Sequence, residues 1–520
     1  MRKSLSILTA LTLLSACDTL QYDSRSGDLW DTNVASANDG IYINLPFADE
    51  LIRVNESGIS VVDLTGAIPN RLVESPDGSQ VLVFANWEEC KDDDSDIVYP
   101  EDCDDLVSNS VLSIVSDATV TSEVEIPSHL NTVSFSNDGA IAVAYLDYDA
   151  GGDIQVDGFA DLGEVAFIRV SNGSKGSASV GFSPKQVLFS PDNQAVVMSQ
   201  SQVVAVDLDT FEKTLEAPLT LDADQAINPS NAELAYDPES GVTNLLLTVE
   251  GSSDIYMLNL ESKYWNIGDL GAIATDIGVD DVTAQSVFVF SGSSKAVVLD
   301  HGELATLNAS SLQDIDLEEP SNKALMGAGF AMLYNDASGA VHDVYKLDLA
   351  TRELTEYVVS NPVSELMITD SGSYAVAVVR PENSGSSDYQ DSRYGLSILD
   401  LSSDESISLV AQSEPIGVAL VEDESNSYAL ALLSGSDTLL QVNLASPNSP
   451  AEVDLPAPPV SIAGMPNGNF VITHNQSLGM VSILDPATLE LQTMSNFAVT
   501  NLFEQKELPR TESEQNEEAE

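Results

Sequence analysis

The chain has 520 residues, 43% of them hydrophobic, with 83 acidic side chains against 19 basic ones and a formal net charge of −64. That length and apolar content can bury a large core, which excludes disorder of the main body. So acidic a surface repels nucleic acid and anionic headgroups, which excludes the usual electrostatic route to DNA or RNA. The acids are spread evenly along the chain, as in a solvated surface adapted to salt; a surface that collects cations is the other account.

In chain order, the first element is basic, Met1-Arg2-Lys3, followed by an apolar run from Ser4 to Leu13 and then Leu14-Ser15-Ala16-Cys17. This order predicts a secretory signal over residues 1–16. The run is too short for a permanent span, which needs about 20 residues. Leu14-Ser15-Ala16-Cys17 resembles the lipobox of bacterial lipoproteins. That resemblance implies acylation of Cys17 and attachment to a bacterial envelope through lipid, on the periplasmic or cell-surface side. Asp18 occupies a place that, in enteric bacteria, leans toward the inner membrane; the choice of membrane stays open. Residues 17–38 are expected to be the lipidated end and a flexible tether, 39–497 the folded domain, and 498–520 an acidic disordered tail.

Cys90 and Cys103 bracket an acidic stretch that begins Lys91-Asp92-Asp93-Asp94. With Cys17 lipidated they are an even pair in an oxidising compartment, and a disulfide between them is expected. Closing that loop would stabilise the fold by about 3 kcal/mol.

The domain repeats itself. A short strand ending in Asp-Leu or a near variant recurs as Ile59–Leu64, Val203–Leu208, Ile255–Leu260, Val344–Leu349, Leu396–Leu401, Leu439–Leu444 and Val481–Asp485. It alternates with a strand, a tight turn and a very apolar strand. Leu72–Phe84, with Ser75-Pro76-Asp77-Gly78 at its turn, is the clearest copy; Val133–Ala144 and Val187–Val197 repeat it. Proline pre-sets φ, aspartate bonds back to the backbone and glycine supplies positive φ. The apolar run beyond the turn suits a strand buried on both faces. The repeat length is about 40–50 residues.

This grammar resembles the YVTN- and WD40-like propeller repeats of bacterial extracytoplasmic proteins. The resemblance implies an all-β fold, a single β-propeller of about seven to nine four-stranded blades. The strands near Leu51 to Leu64 are expected to complete the last blade. Segments Asp222–Asn244 and Asp269–Val289 fit the repeat poorly, and a β-sandwich array is the structural alternative.

Three connections between second and third strands are long: Glu88–Leu106, Asp147–Gly163 and Pro381–Arg393. Long loops in compact domains are disproportionately functional, so their face is the expected site for a protein or small-ligand partner. Within one of them, Asp147, Asp149, Asp153 and Asp157 resemble part of a Ca²⁺ loop, though Gly158 stands where an EF-hand has its closing Glu. Ca²⁺ is therefore the one cofactor the sequence suggests. The four histidines, His129, His301, His342 and His474, show no metal-ligand spacing. No nucleophile elbow, phosphate loop or dinucleotide fingerprint occurs, and no catalytic residue is assigned. A lipid-anchored, non-catalytic binding or scaffold propeller is the first reading. A metal-dependent hydrolase or lactonase-like enzyme is the alternative, and a salt-adapted surface component a third.

Overall fold

The two recurring sequence elements are both turns closed by a carboxylate. In the computed structural model the Ser75 hydroxyl donates to Asp77 Oδ1 at 2.7 Å while the Ser79 N–H donates to the same oxygen at 3.0 Å. Ser136, Asp138 and Ala140 repeat the arrangement in the next blade. Each turn joins a first to a second strand.

The Asp-Leu element does two jobs. Asp207 Oδ1 accepts from the N–H groups of Asp209 and Thr210, and Asp348 Oδ1 from those of Ala350 and Thr351. The Thr210 and Thr351 N–H donors are what chiefly hold both carboxyls below the usual range. Four residues after the aspartate, the chain enters the left-handed region at Phe211 (φ 59°) and Arg352 (φ 65°), a cost of about 1–2 kcal/mol that the capping bonds offset. The leucine then fixes the neighbouring turn. Its N–H donates across the blade, Leu208 to Asn193 O and Leu401 to Ser373 O, and its side chain is buried between blades. Burying a leucine contributes about 1.5–3 kcal/mol.

The structure describes residues 34–495 except 38–39, 46–49, 56–57, 65–67, 91–105, 149–160, 223–224, 308–309, 338–340, 383–392, 423–425, 466 and 475–479. These residues form a β-propeller fold of ten four-stranded antiparallel blades, not seven to nine. They cover residues 34–62, 68–126, 132–179, 184–218, 229–269, 276–316, 323–358, 363–410, 415–454 and 459–495, and are numbered 1 to 10. Within each blade every strand pairs with the next in sequence. Second strands are buried along their length, as in Ile141–Tyr145 and Ser427–Leu433, while fourth strands such as Lys213–Pro218 alternate buried and exposed. The alternation marks them as half-solvated edges.

Three expectations are corrected. Glu50–Asn55 and Gly58–Val62 do not complete the last blade; they pair with Gly40–Leu45 inside a blade of their own. The cause lies just upstream, where Val34–Ala37 and Gly40–Leu45 supply two further strands with buried Ile41, Tyr42 and Ile43. Val34–Ala37 thus falls inside the segment read as tether. The poorly fitting segments hold ordinary blades, 5 and 6, whose turns use different chemistry: Asp237 caps Glu239 and Ser240, and Asp280 caps Thr283.

The chain falls into two units, residues 129–455 and residues 1–128 with 456–520. In the second, blade 1 packs on blade 10 through Ile43, Val54, Val471 and Ile483, and on blade 2 through Tyr42, Leu51, Leu72 and Val83. In the first, blades 3 to 9 pack pairwise through apolar clusters, for example Val206 and Leu208 against Val165 and Phe167. First strands there lie beside first strands of the next blade. Several begin with proline and bulge at once, as between Pro184 and Gln186, Pro229 and Asn231, and Pro415 and Gly417. Proline is tolerated at the first residue of an edge strand because it need not donate to the ladder.

Candidate binding face of residues 129–455

Antiparallel order sends the second-to-third-strand loop and the connection to the next blade out of the same end of each sheet. The long connections indeed join second to third strands: Val81–Cys90 to Leu106–Ser116, Ile141–Tyr145 to Glu164–Arg169, and Tyr374–Val379 to Gly395–Asp400. Much of each loop, and with it Asp149, Asp153 and Asp157, lies outside the described residues. So do Cys17 and Cys103; Cys90 ends its strand opposite Leu106, and the expected disulfide cannot be placed. Among the described residues no three His, Cys, Asp or Glu side chains are grouped to hold a metal.

The loop bases in this unit are clamped by asparagines that precede a first strand. Asn131 and the Asp147 backbone exchange two hydrogen bonds of 2.8 and 2.9 Å. Asn322 and Asp336 pair reciprocally at 2.7 and 3.0 Å, and Asn361 Nδ2 donates to Arg393 O at 2.8 Å. Neighbouring loops are also tied together. Arg380 of blade 8 donates to the carbonyls of Asp336 (2.7 Å) and Ala337 (2.5 Å) in blade 7, and His342 Nε2 stands 3.7 Å from Glu382 Oε2. Sequence reading located the loops but missed these clamps, because an isolated Asn carries no periodic signal.

Beside this end, successive first strands carry a row of charged groups: Glu233, Asp276, Lys323 and Glu365. Burial pushes Glu233 up to about 7, with repulsion from Asp276 and Asp281 adding to it. Asp276 is raised by burial as well, against the Ala324 N–H it accepts at 3.1 Å and the charge of Lys323. Tyr334, next to this row, is pushed up to about 12 by burial and by Asp336, Asp276 and Glu365. The row can bind and orient polar groups; it contains no nucleophile paired with a base.

The histidines divide. His301 takes the leucine position of an Asp-Leu element: its N–H donates to Ala284 O, as Leu208 does to Asn193 O. Its Nδ1–H donates to Tyr236 O at 2.7 Å, so Nε2 accepts from the Ser286 hydroxyl at 2.9 Å. His474, in the other unit, repeats the pattern with Ala457 O at 2.9 Å and Ser482 at 2.7 Å. Burial lowers both rings, which act as neutral pins between strands. His129 is buried in the connection that leads into blade 3, and His342 sits on the second-to-third-strand loop of blade 7 beside Glu382.

No protein-family model and no curated protein matches the sequence. Among solved structures the chain is similar to Kuenenia stuttgartiensis hydrazine synthase, at 14% identity and TM-score 0.34, over 61% of this chain and 96% of that one. It is similar to a eukaryotic initiation factor at 11% identity and TM-score 0.43, over 71% and 84%. Apo AztD from Citrobacter koseri matches at 12% identity and TM-score 0.33, over 63% and 86%. Likenesses this distant carry no functional argument.

Proposed function

We propose that this chain is a lipid-anchored extracytoplasmic propeller that binds a protein or small ligand without catalysing its conversion. Its binding face is the loop end of residues 129–455. The observation that carries the reading is the tie between adjacent loops, Arg380 to Asp336 and Ala337 with His342 beside Glu382. Loop bases braced in this way hold their described ends in one arrangement, which lowers the entropic cost of binding there. A charged row with no nucleophile–base pair suits recognition rather than turnover.

The test is chemical crosslinking of intact envelopes followed by recovery of the chain, comparing the native protein with an Arg380→Ala, Glu382→Ala double variant. The variant is expected to lose the partner seen with the native chain; unchanged recovery would remove this face from consideration. Turnover of a lactone or ester by the purified domain would overturn the non-catalytic reading. For the anchor, Cys17→Ala is expected to shift the protein from the membrane to the soluble fraction. A variant that stayed with the membrane would refute lipid attachment at Cys17.

A further inference from the structure

In a chain this acidic the few basic side chains would be expected to seek carboxylates. In residues 129–455 several of them seek backbone oxygens instead, and most of these lie on a neighbouring blade. Arg169 of blade 3 donates to Leu208 O at 2.9 Å and to Asp209 O at 2.6 Å in blade 4. Lys346 of blade 7 donates to Leu401 O of blade 8 at 2.6 Å, and Arg380 of blade 8 donates back to Asp336 O and Ala337 O of blade 7. Lys295 of blade 6 reaches Leu270 O, just beyond the last strand of blade 5, at 3.0 Å. Three of these cations also lie over aromatic rings. Arg169 stands 4.9 Å from the centre of Phe211, Lys295 5.4 Å from Phe290 and Lys346 5.6 Å from Phe330. Leu208, Asp209 and Leu401 belong to the Asp-capped turns, past the end of their strands, so the cation supplies a donor that the ladder does not offer there. A charge-assisted hydrogen bond to a partly buried carbonyl is strong and little screened by salt. These bases are staples between blades.

The staples leave the acids unneutralised. Even if every base met an acid, the formal charge of −64 would remain. The ion pairs Lys213–Glu216 (3.4 Å) and Lys295–Asp314 (3.2 Å) leave their carboxylates 56% and 62% exposed, so each contributes little. Elsewhere acids face acids. On the outer two strands of blade 7, Glu356 lies opposite Tyr345 and Asp343 opposite Val358, which makes the two carboxylates diagonal neighbours. Burial, then repulsion from Asp343 and Glu318, raises Glu356 above the usual range. Diagonal neighbours on a sheet are about 7–8 Å apart. The screening length is about 10 Å at 0.1 M salt and about 3 Å at 1 M, so such a pair repels in dilute buffer and hardly at all in concentrated salt.

We infer that this fold is stabilised by salt: its bases staple blade to blade, and bulk cations of the medium, not protein cations, neutralise its acids. The sign follows from what salt changes. It relieves acid–acid repulsion across the surface, forfeits ion pairs that are weak already, and leaves the staples in place. This property is independent of the binding role proposed above, and either can fail without the other.

Thermal unfolding of the full chain at neutral pH, in NaCl from about 0.1 to 1 M, tests it. The melting temperature is expected to climb by about 5 °C over that range, and choline chloride of equal ionic strength is expected to do the same. Glu356→Gln should melt about 1–2 °C above the native chain in dilute salt and level with it in concentrated salt. Lys346→Met keeps an apolar stem against Phe330 and removes the donor to Leu401 O. It should melt below the native chain even in 1 M salt, where an exposed ion pair would already be screened. A melting temperature that stayed flat or fell with salt would overturn the inference. So would the full climb produced by millimolar CaCl2 alone, which would put bound cations in place of screening. Lys346→Met melting level with the native chain in 1 M salt would overturn the staple.

Discussion

Gly163→Ala is expected to lower the stability of residues 129–455 by about 2–3 kcal/mol, a large loss for one methyl group. The added Cβ would lie 2.6 Å from Gly181 O and 2.8 Å from its carbonyl carbon. These are backbone atoms, held from behind by Ser199 and Gln202, so no side chain can swing away to make room. The chain must instead separate the loop end from the Phe182 corner, losing the Val180 to Gly163 hydrogen bond. Gly292→Ala is the control. Its Cβ would meet nothing within 4 Å, and its cost should stay within about 0.5 kcal/mol. Denaturant unfolding of the two variants decides it: equal midpoints would show that the two glycines do not depend on close approach.

Glu233→Gln should raise stability by about 3 kcal/mol at pH 8 and leave it nearly unchanged at pH 4. Burial and the nearby Asp276 and Asp281 carry this carboxyl from 4.5 to about 7 in the folded state. A raised carboxyl favours the neutral form when folded, so the native chain keeps its full stability below about pH 4.5 at this site and loses some as pH rises through 7. Glutamine mimics the neutral acid and removes that loss. The buried histidines act in the opposite sense. His301 and His474 are lowered by burial, so their contribution is present above the unfolded value near 6.5 and is lost as pH falls below it. Urea titrations at the two pH values would test the carboxyl: a gain at pH 4 equal to that at pH 8 would show that Glu233 is not held neutral.

Both predictions turn on contacts between segments distant in sequence, and this separates what could be read from the chain and what could not. The blade grammar was legible because hairpins are local. Ser75, Asp77 and Ser79 close their turn within five residues, and Asp207 caps its own turn within three. The alternation of apolar second strands with half-exposed fourth strands follows from the same short range, and it located the long connections correctly between second and third strands. Blade number was misjudged where different side chains perform one job. Asp237 with Ser240, and Asp280 with Thr283, cap their turns without the Ser-Pro-Asp-Gly signature. The weaker copy of the Asp-Leu element near Val297 carries His301 in the leucine's place, with the same cross-blade hydrogen bond.

By itself the sequence determined an acidic, repetitive, all-β chain with a lipobox-like start, because strand period, turn chemistry and net charge are additive along a chain. The tertiary structure decided which distant residues meet. Asn131 clamps Asp147 across 16 positions and Arg380 holds Asp336 across 44. Tyr148 reaches Phe182, and Glu233 rises toward neutrality beside Asp276. None of these pairings has a sequence period: the Asn131 clamp closes the open end of one blade's own first hairpin, and the others depend on how one blade meets the next. Packing also sets the burial that shifts a carboxyl and the close backbone approach of Gly163 to Gly181.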